Sequence, residues 1–255
     1  MFEKGMTGMQ TAFLETQSGR RLAYRYSPAK TQLTYVWLSG FKSDMSGTKV
    51  TVLEAWAKEA GHGFLAFDYS GHGLSDGAFE DGTISAWRED ALAAIGALTD
   101  GGLVLVGSSM GGWMALLSAL ELGDRVKGMV LIAPAPDFTQ KLMWPEFSFE
   151  QQAEIMGKGM TLRPSDYDEP YQITRALIVD GQNWSILDTP IELSMPIRIL
   201  QGMQDADVPW QHAFRLTETL TSEDVVFTLV KDGDHRLSRD QDIARLIETC
   251  ASLTV

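Results

Sequence analysis

The run Leu103-Val104-Leu105-Val106-Gly107-Ser108-Ser109-Met110-Gly111-Gly112-Trp113 constrains this chain more than any other stretch. Four apolar residues suit a strand covered on both faces, and residues 110–122 continue as an apolar helix. Between them lies Gly-x-Ser-x-Gly centred on Ser109. A serine hydroxyl is a poor nucleophile until a base takes its proton. A tight strand-to-helix turn holds such an oxygen clear of the sheet. Side chains at 107 and 111 would strike the neighbouring strand and helix, so glycine is required there. Ser108 is the alternative nucleophile, but the flanking glycines centre on Ser109. The helix beginning near Met110 also aims free N–H groups at the reaction centre.

The same alternation runs along the chain. Residues 11–16 and 21–26 read as a hairpin around Ser18-Gly19. Apolar strands follow at 35–38, 64–67, 103–106, 126–133, 197–200 and 225–230, with helices at 49–60, 83–98, 110–122, 210–220 and 239–253. This predicts an α/β fold: a mostly parallel, eight-stranded sheet flanked by helices. The pattern breaks once, over residues 136–190. No buried strand is evident there, while Met143, Trp144, Phe147, Phe149, Ile155, Met156, Met160 and Trp184 supply apolar bulk. The expected organisation is a core of residues 1–135 and 191–255 with a helical cap insertion, 136–190, over the carboxyl ends of the strands.

A nucleophilic serine needs a histidine, and the chain has four. His62 falls in a helix-to-strand turn, His72 in the glycine-rich loop after the 64–67 strand, and His212 on a helix after Pro209. These three read as solvated or structural, with His72 near enough to line the site. His235 directly follows the last strand, at the sheet edge where Ser109 points. The imidazole in turn needs an acid to fix its tautomer. The loop after the 197–200 strand offers Asp205 and Asp207. Asp205 is the expected partner, and Asp207 is expected to cap the helix after Pro209. The order Ser109, Asp205, His235 is that of the α/β hydrolases. The oxyanion of an acyl intermediate needs two donors: the N–H of Met110 and one from the loop Ser39-Gly40-Phe41-Lys42, with Phe41 first choice.

Bulk properties exclude some roles. The 34 acidic against 21 basic residues give a net charge of −13, which repels nucleic acid and anionic membrane surfaces. No apolar run approaches the roughly 20 residues of a membrane span. The single cysteine, Cys250, permits neither an internal disulfide nor a cysteine metal site. Residues 1–17 carry neither an apolar signal core nor an arginine-rich transit pattern. Together these point to a cytoplasmic protein, and serine-based acyl hydrolysis is expected to need no metal or cofactor. Oligomeric state is not encoded in any of these features.

With these residues in view, the chain resembles the α/β-hydrolase superfamily over essentially its whole length. Within it, the chain is similar to the branch of the mitochondrial abhydrolase-domain-containing protein ten. The similar segments are Met45-Ser46-Gly47-Thr48-Lys49, Phe67-Asp68-Tyr69-Ser70-Gly71 with Ser75-Asp76-Gly77, residues 106–113 (VGSSMGGW), Gly202-Met203 with Val208-Pro209-Trp210, and Asp234-His235-Arg236. That resemblance implies a serine esterase or thioesterase, such as a protein S-depalmitoylase or an acyl-glucuronide esterase. Its triad falls on Ser109, Asp205 and His235, and its substrates are a small molecule or an acylated protein. The chain departs from many hydrolases at Gln201, where a histidine often precedes the glycine. Two alternatives remain: another reaction in the same fold, such as C–C hydrolysis or perhydrolysis, and a non-catalytic ligand receptor.

Overall fold

A computed structural model of the chain describes residues 10–163 and 170–253. Residues 1–9, on which part of the leader reading rests, lie outside the described residues. Among the described residues ten strands form two sheets. They are β1 (Ala12–Glu15), β2 (Arg21–Ser27), β3 (Leu33–Leu38), β4 (Gly63–Phe67), β5 (Gly102–Ser108), β6 (Val126–Ile132), β7 (Met160–Arg163), β8 (Tyr171–Thr174), β9 (Ile197–Gly202) and β10 (Val225–Val230). The large sheet has the order β1-β2-β4-β3-β5-β6-β9-β10. Its first two pairings are antiparallel and the other five parallel. The hairpin of β1 and β2 turns at Gly19, whose φ is +76°.

Among the described residues seven α-helices accompany the strands: α1 (Thr48–Ala60), α2 (Ile84–Leu98), α3 (Met110–Leu122), α4 (Phe149–Lys158), α5 (Arg175–Gln182), α6 (Trp210–Thr219) and α7 (Asp240–Ala251). The central strands read as continuous apolar runs because both faces are covered. Val36, Leu38, Leu105, Leu131 and Ile199 face one cluster with Trp87 and Ile95 of α2, Trp113 and Leu116 of α3, and Leu216 of α6. Their neighbours Tyr35, Trp37, Val104, Val106, Val130 and Ile132 face the other, with Leu53 and Ala57 of α1 and Leu246 and Cys250 of α7. The period of two along each strand divides the core between the layers.

Local signals set the helix ends. Thr83 Oγ1 accepts from Ala86 N at the start of α2, and Ser148 and Gln151 form a reciprocal box at the start of α4. The expected cap of α6 is corrected. Its N-cap is Pro209 with no side-chain cap. Asp207 lies two residues upstream, where its N–H is held by Asp205 Oδ1 at 2.9 Å.

Between β6 and β9 the structure is mixed rather than purely helical. A π-helical turn (Thr139–Met143), a 3-10 turn (Trp144–Glu146), α4 and α5 are joined by the antiparallel pair β7–β8. This stretch is fastened at its roots. The fully buried Asp137 carboxylate accepts from Ile186 N (2.9 Å) and Leu187 N (3.0 Å). Asp180 accepts from the Ser85 N–H and hydroxyl at the start of α2, and Trp184 Nε1 donates to the Ser85 hydroxyl at 2.7 Å. The five non-glycine residues with positive φ among the described residues are Lys42, Ser109, Ala133, Asp137 and Leu237. All five follow the carboxyl ends of strands, so backbone strain gathers at one rim of the sheet.

Candidate active site

Ser109 occupies the junction of β5 and α3 with φ 55° and ψ −119°. This is a strained conformation for a residue bearing a side chain, costing on the order of 1–3 kcal/mol. Packing enforces it. A Cβ at Gly107 would lie 2.3 Å from the Gly111 carbonyl oxygen, and one at Gly111 would lie 1.9 Å from the Leu38 carbonyl oxygen. The turn closes tightly against β3 and α3 only because both positions lack side chains. Ser109 N also donates to Ile132 O (2.9 Å), and Ser109 O accepts from Ala135 N (3.1 Å). The elbow is thus clamped to the end of β6.

The loops after β9 and β10 bring the other two predicted residues to this point. His235 Nε2 lies 3.2 Å from Ser109 Oγ, and His235 Nδ1 lies 2.8 Å from Asp205 Oδ2. With the carboxylate accepting at Nδ1, Nε2 is left as the acceptor for the serine proton. His235 bonds to Ser109 rather than to Ser108. The Asp205 side chain is fully buried. Its Oδ1 accepts from Asp207 N and Val208 N (2.9 and 2.8 Å), and its Oδ2 accepts from Gln201 Nε2 at 3.0 Å as well as from His235. Asp207 is therefore a neighbour, not the partner, of the histidine. Gln201 bonds directly to the acid. Its Nε2 also reaches Gly202 O and Val208 O, while its buried Oε1 has no partner among the described residues. Asp205, Asp207 and His235 bring metal-binding atom types within 4.8 Å of one another. Two of these side chains, Asp205 and His235, are already bonded to each other.

Ser109 opens into a cavity of about 460 Å³. Phe41 and Met110 line it beside Ser109. Phe138, Leu142 and Met143 form an apolar wall, and Lys49, Arg163, Glu146 and Arg236 bring charge to the rim. Of the apolar residues expected to build a pocket, Met143 lines it. Phe147 and Ile155 are buried in the core cluster, whereas Phe149 is 88% exposed. Arg163 pairs with Glu146 (2.7 Å), Lys141 with Asp188 (2.7 Å) and Lys158 with Glu154 (3.1 Å), and Arg175 donates to Met156 O (3.1 Å).

The remaining histidines are held elsewhere. His62 Nδ1 lies 3.0 Å from Thr31 Oγ1, and His212 Nε2 donates to Pro136 O at 2.8 Å. His72 is buried beside the Phe41 loop, and its Nε2 accepts from Lys42 N at 3.1 Å. Sequence reasoning placed His72 near the site without finding this bond. The only available signal was the glycine-rich loop that carries it.

The chain belongs to the alpha/beta hydrolase family: the family model of that description matches residues 36–249. The resemblance to the abhydrolase-domain-containing protein ten branch holds at the level of whole chains. Palmitoyl-protein thioesterase ABHD10, mitochondrial, from Mus musculus is 36% identical over 246 residues, covering 95% of this chain and 82% of that protein. A solved structure of mouse alpha/beta hydrolase domain-containing protein 10 has a TM-score of 0.88 at 34% identity, covering 96% of this chain and 98% of that one. A crystal structure from Agrobacterium vitis S4 has a TM-score of 0.93 at 43% identity, covering 97% and 100%. The cytoplasmic expectation is overturned. The relatives at 35–36% identity, from mouse, orangutan, human, cattle and rat, are all named mitochondrial. A buried cysteine and an acidic surface carry no address, and residues 1–9 lie outside the described residues. No helix of the described residues is long and apolar enough to cross a membrane.

Proposed function

We propose that this protein is a serine hydrolase that cleaves long-chain acyl thioesters, and the corresponding oxygen esters, through an acyl-enzyme. One observation carries the reading. Hydroxyl, imidazole and buried carboxylate stand in a continuous run of 3.2 and 2.8 Å at the floor of a cavity with an apolar wall. In this reading His235 Nε2 takes the Ser109 proton as Oγ adds to the thioester carbonyl. The oxyanion is met by the N–H groups of Met110 and Phe41. The C–S bond then breaks and His235 gives its proton to the departing thiolate. Water adds to the acyl-serine by the same proton path, releasing the fatty acid and restoring Ser109. Asp205 holds the imidazole tautomer and stabilises its charged form.

The substrate class follows from the relatives named palmitoyl-protein thioesterase, and Phe138, Leu142 and Met143 supply a surface that suits an acyl chain. We read residues 136–190 as the cap that bears this surface, and residues 1–135 and 191–255 as the core that bears the chemistry. The test is hydrolysis of an S-palmitoyl peptide, with a fluorophosphonate probe to label the nucleophile. Wild-type protein should release palmitate and take the label at Ser109. Labelling or turnover that persists in Ser109→Ala would overturn the assignment.

A further inference from the structure

We infer that His72 is a positioning residue for the oxyanion loop. Its neutral imidazole, through Nε2, holds the Lys42 N–H and with it the adjoining Phe41 N–H that meets the developing charge. The inference deepens the proposed hydrolase reading and rests on it.

Lys42 follows Phe41 and carries φ +54°, a conformation that side-chain-bearing residues rarely adopt. Something outside the loop must hold it there. The loop contributes two short-range bonds, Ser43 N to Gly40 O at 3.1 Å and Ser39 Oγ to Asp44 O at 3.3 Å, and neither holds the Lys42 N–H. The bond from Lys42 N to His72 Nε2 spans thirty residues. For Nε2 to accept, the imidazole must be neutral with its proton on Nδ1. The surroundings impose both conditions. His72 Nδ1 donates to Ser70 O at 3.2 Å. The ring is enclosed by Tyr69, Phe79 and Trp87 at centroid distances of 5.2–5.8 Å. Burial lowers its pKa, which keeps it uncharged.

The support continues outward. Ser70 O also accepts from Trp87 Nε1 (3.2 Å), and Ser70 N and Oγ donate to Asp90 Oδ2 (2.9 and 2.6 Å). Asp90, fully buried, is paired with Arg20 at 2.7 Å. A bonded chain therefore runs from α2 through Ser70 and His72 to the backbone of the Phe41 loop. Nothing in it touches Ser109, Asp205 or His235. Hydrogen-bonded support of this kind holds a donor in place before charge develops, so it is felt in kcat rather than in ground-state binding.

The test compares His72→Gln with His72→Asn on a palmitoyl thioester peptide, beside wild type and Ser109→Ala. Gln can place an acceptor oxygen near the former Nε2, whereas Asn reaches only as far as Nδ1. Expected results are a fall in kcat of about 10–100-fold for Asn, since loss of a whole donor costs about 10²–10³, with KM within about threefold. Gln should recover most of the rate. Thermal melting accompanies each variant, and both replacements partly fill the ring's space, so a fold lost in His72→Ala does not block the comparison. Equal kcat for Gln and Asn, or a change confined to KM, overturns the role of His72. Full activity in Ser109→Ala overturns instead the hydrolase reading on which it rests.

Discussion

The two N–H groups proposed to meet the oxyanion stand beside the same serine and are held by different means. Met110 begins α3, and its place is set by main-chain packing: glycines at 107 and 111 and the clamps to Ile132 and Ala135. Phe41 belongs to an irregular loop whose place is set by side chains. Its ring meets Phe79, Trp87, Phe138 and Tyr171 at centroid distances of 4.9–6.1 Å, and Lys42 Nζ lies 4.7 Å from the Phe79 and Tyr171 rings. Phe138 and Tyr171 come from the stretch between β6 and β9. The first donor is thus indifferent to most substitutions, and the second is coupled to the stretch between β6 and β9.

The contrast can be broken at several strengths. The largest effect belongs to neither donor: Ser109→Ala should lower thioester turnover by about 10⁴–10⁶-fold in a steady-state assay, which sets the scale for the rest. Asp205→Asn should cost about 10³–10⁴ in kcat with the fold retained, because the amide can stabilise the wrong imidazole tautomer. A near-normal rate would detach the acid from the chemistry. On the Met110 side, Gly111→Ala should destabilise by about 3 kcal/mol in urea unfolding, since its Cβ would meet the Leu38 carbonyl. A stable, fully active variant would show that main-chain packing does not fix that donor. On the Phe41 side, Phe41→Ala retains the N–H but removes its anchor, and kcat should fall about tenfold alongside a loss of about 2 kcal/mol of stability from the aromatic contacts. An unchanged kcat would remove the coupling to the stretch between β6 and β9.

The smallest effect is a pH dependence of stability. Burial lowers the pKa of His62, His72 and His212. Each folded value lies below the ordinary one of about 6.5, so the unfolded chain binds protons first. Their contribution is complete above that value and declines as pH falls through the folded values. The urea midpoint should be lower at pH 5.5 than at pH 7.5, and replacing His212 by Gln should reduce the difference. A midpoint that rises on acidification would contradict it.

The sheet was legible because its signals are local and strong. Buried parallel strands such as 103–106 are uninterrupted apolar runs, and Gly61 with φ +80° stops α1 where expected. The elbow was legible because its steric demands fall on residues two positions from Ser109. The pair β7–β8 was not. Each strand has four residues of mixed polarity, and only Thr161 and Ile173 are buried, so neither period nor apolar content announces it. The cap of α6 was misread because Asp207 is a good capping residue by type, whereas its main chain is committed to Asp205. His72 was placed near the site, but its bond to Lys42 could not be read. An acceptor facing a backbone N–H thirty residues away leaves no pattern in the sequence.

One carboxylate sets how freely the stretch between β6 and β9 can change in length. The chain leaves the sheet near Asp137 and returns to the same side chain forty-nine residues later at Ile186. Closing a longer or shorter excursion at a fixed gate alters the entropy only logarithmically. Change between these two points can therefore proceed by insertion, deletion or wholesale replacement, while the strands keep their register and Ser109, Asp205 and His235 their spacing.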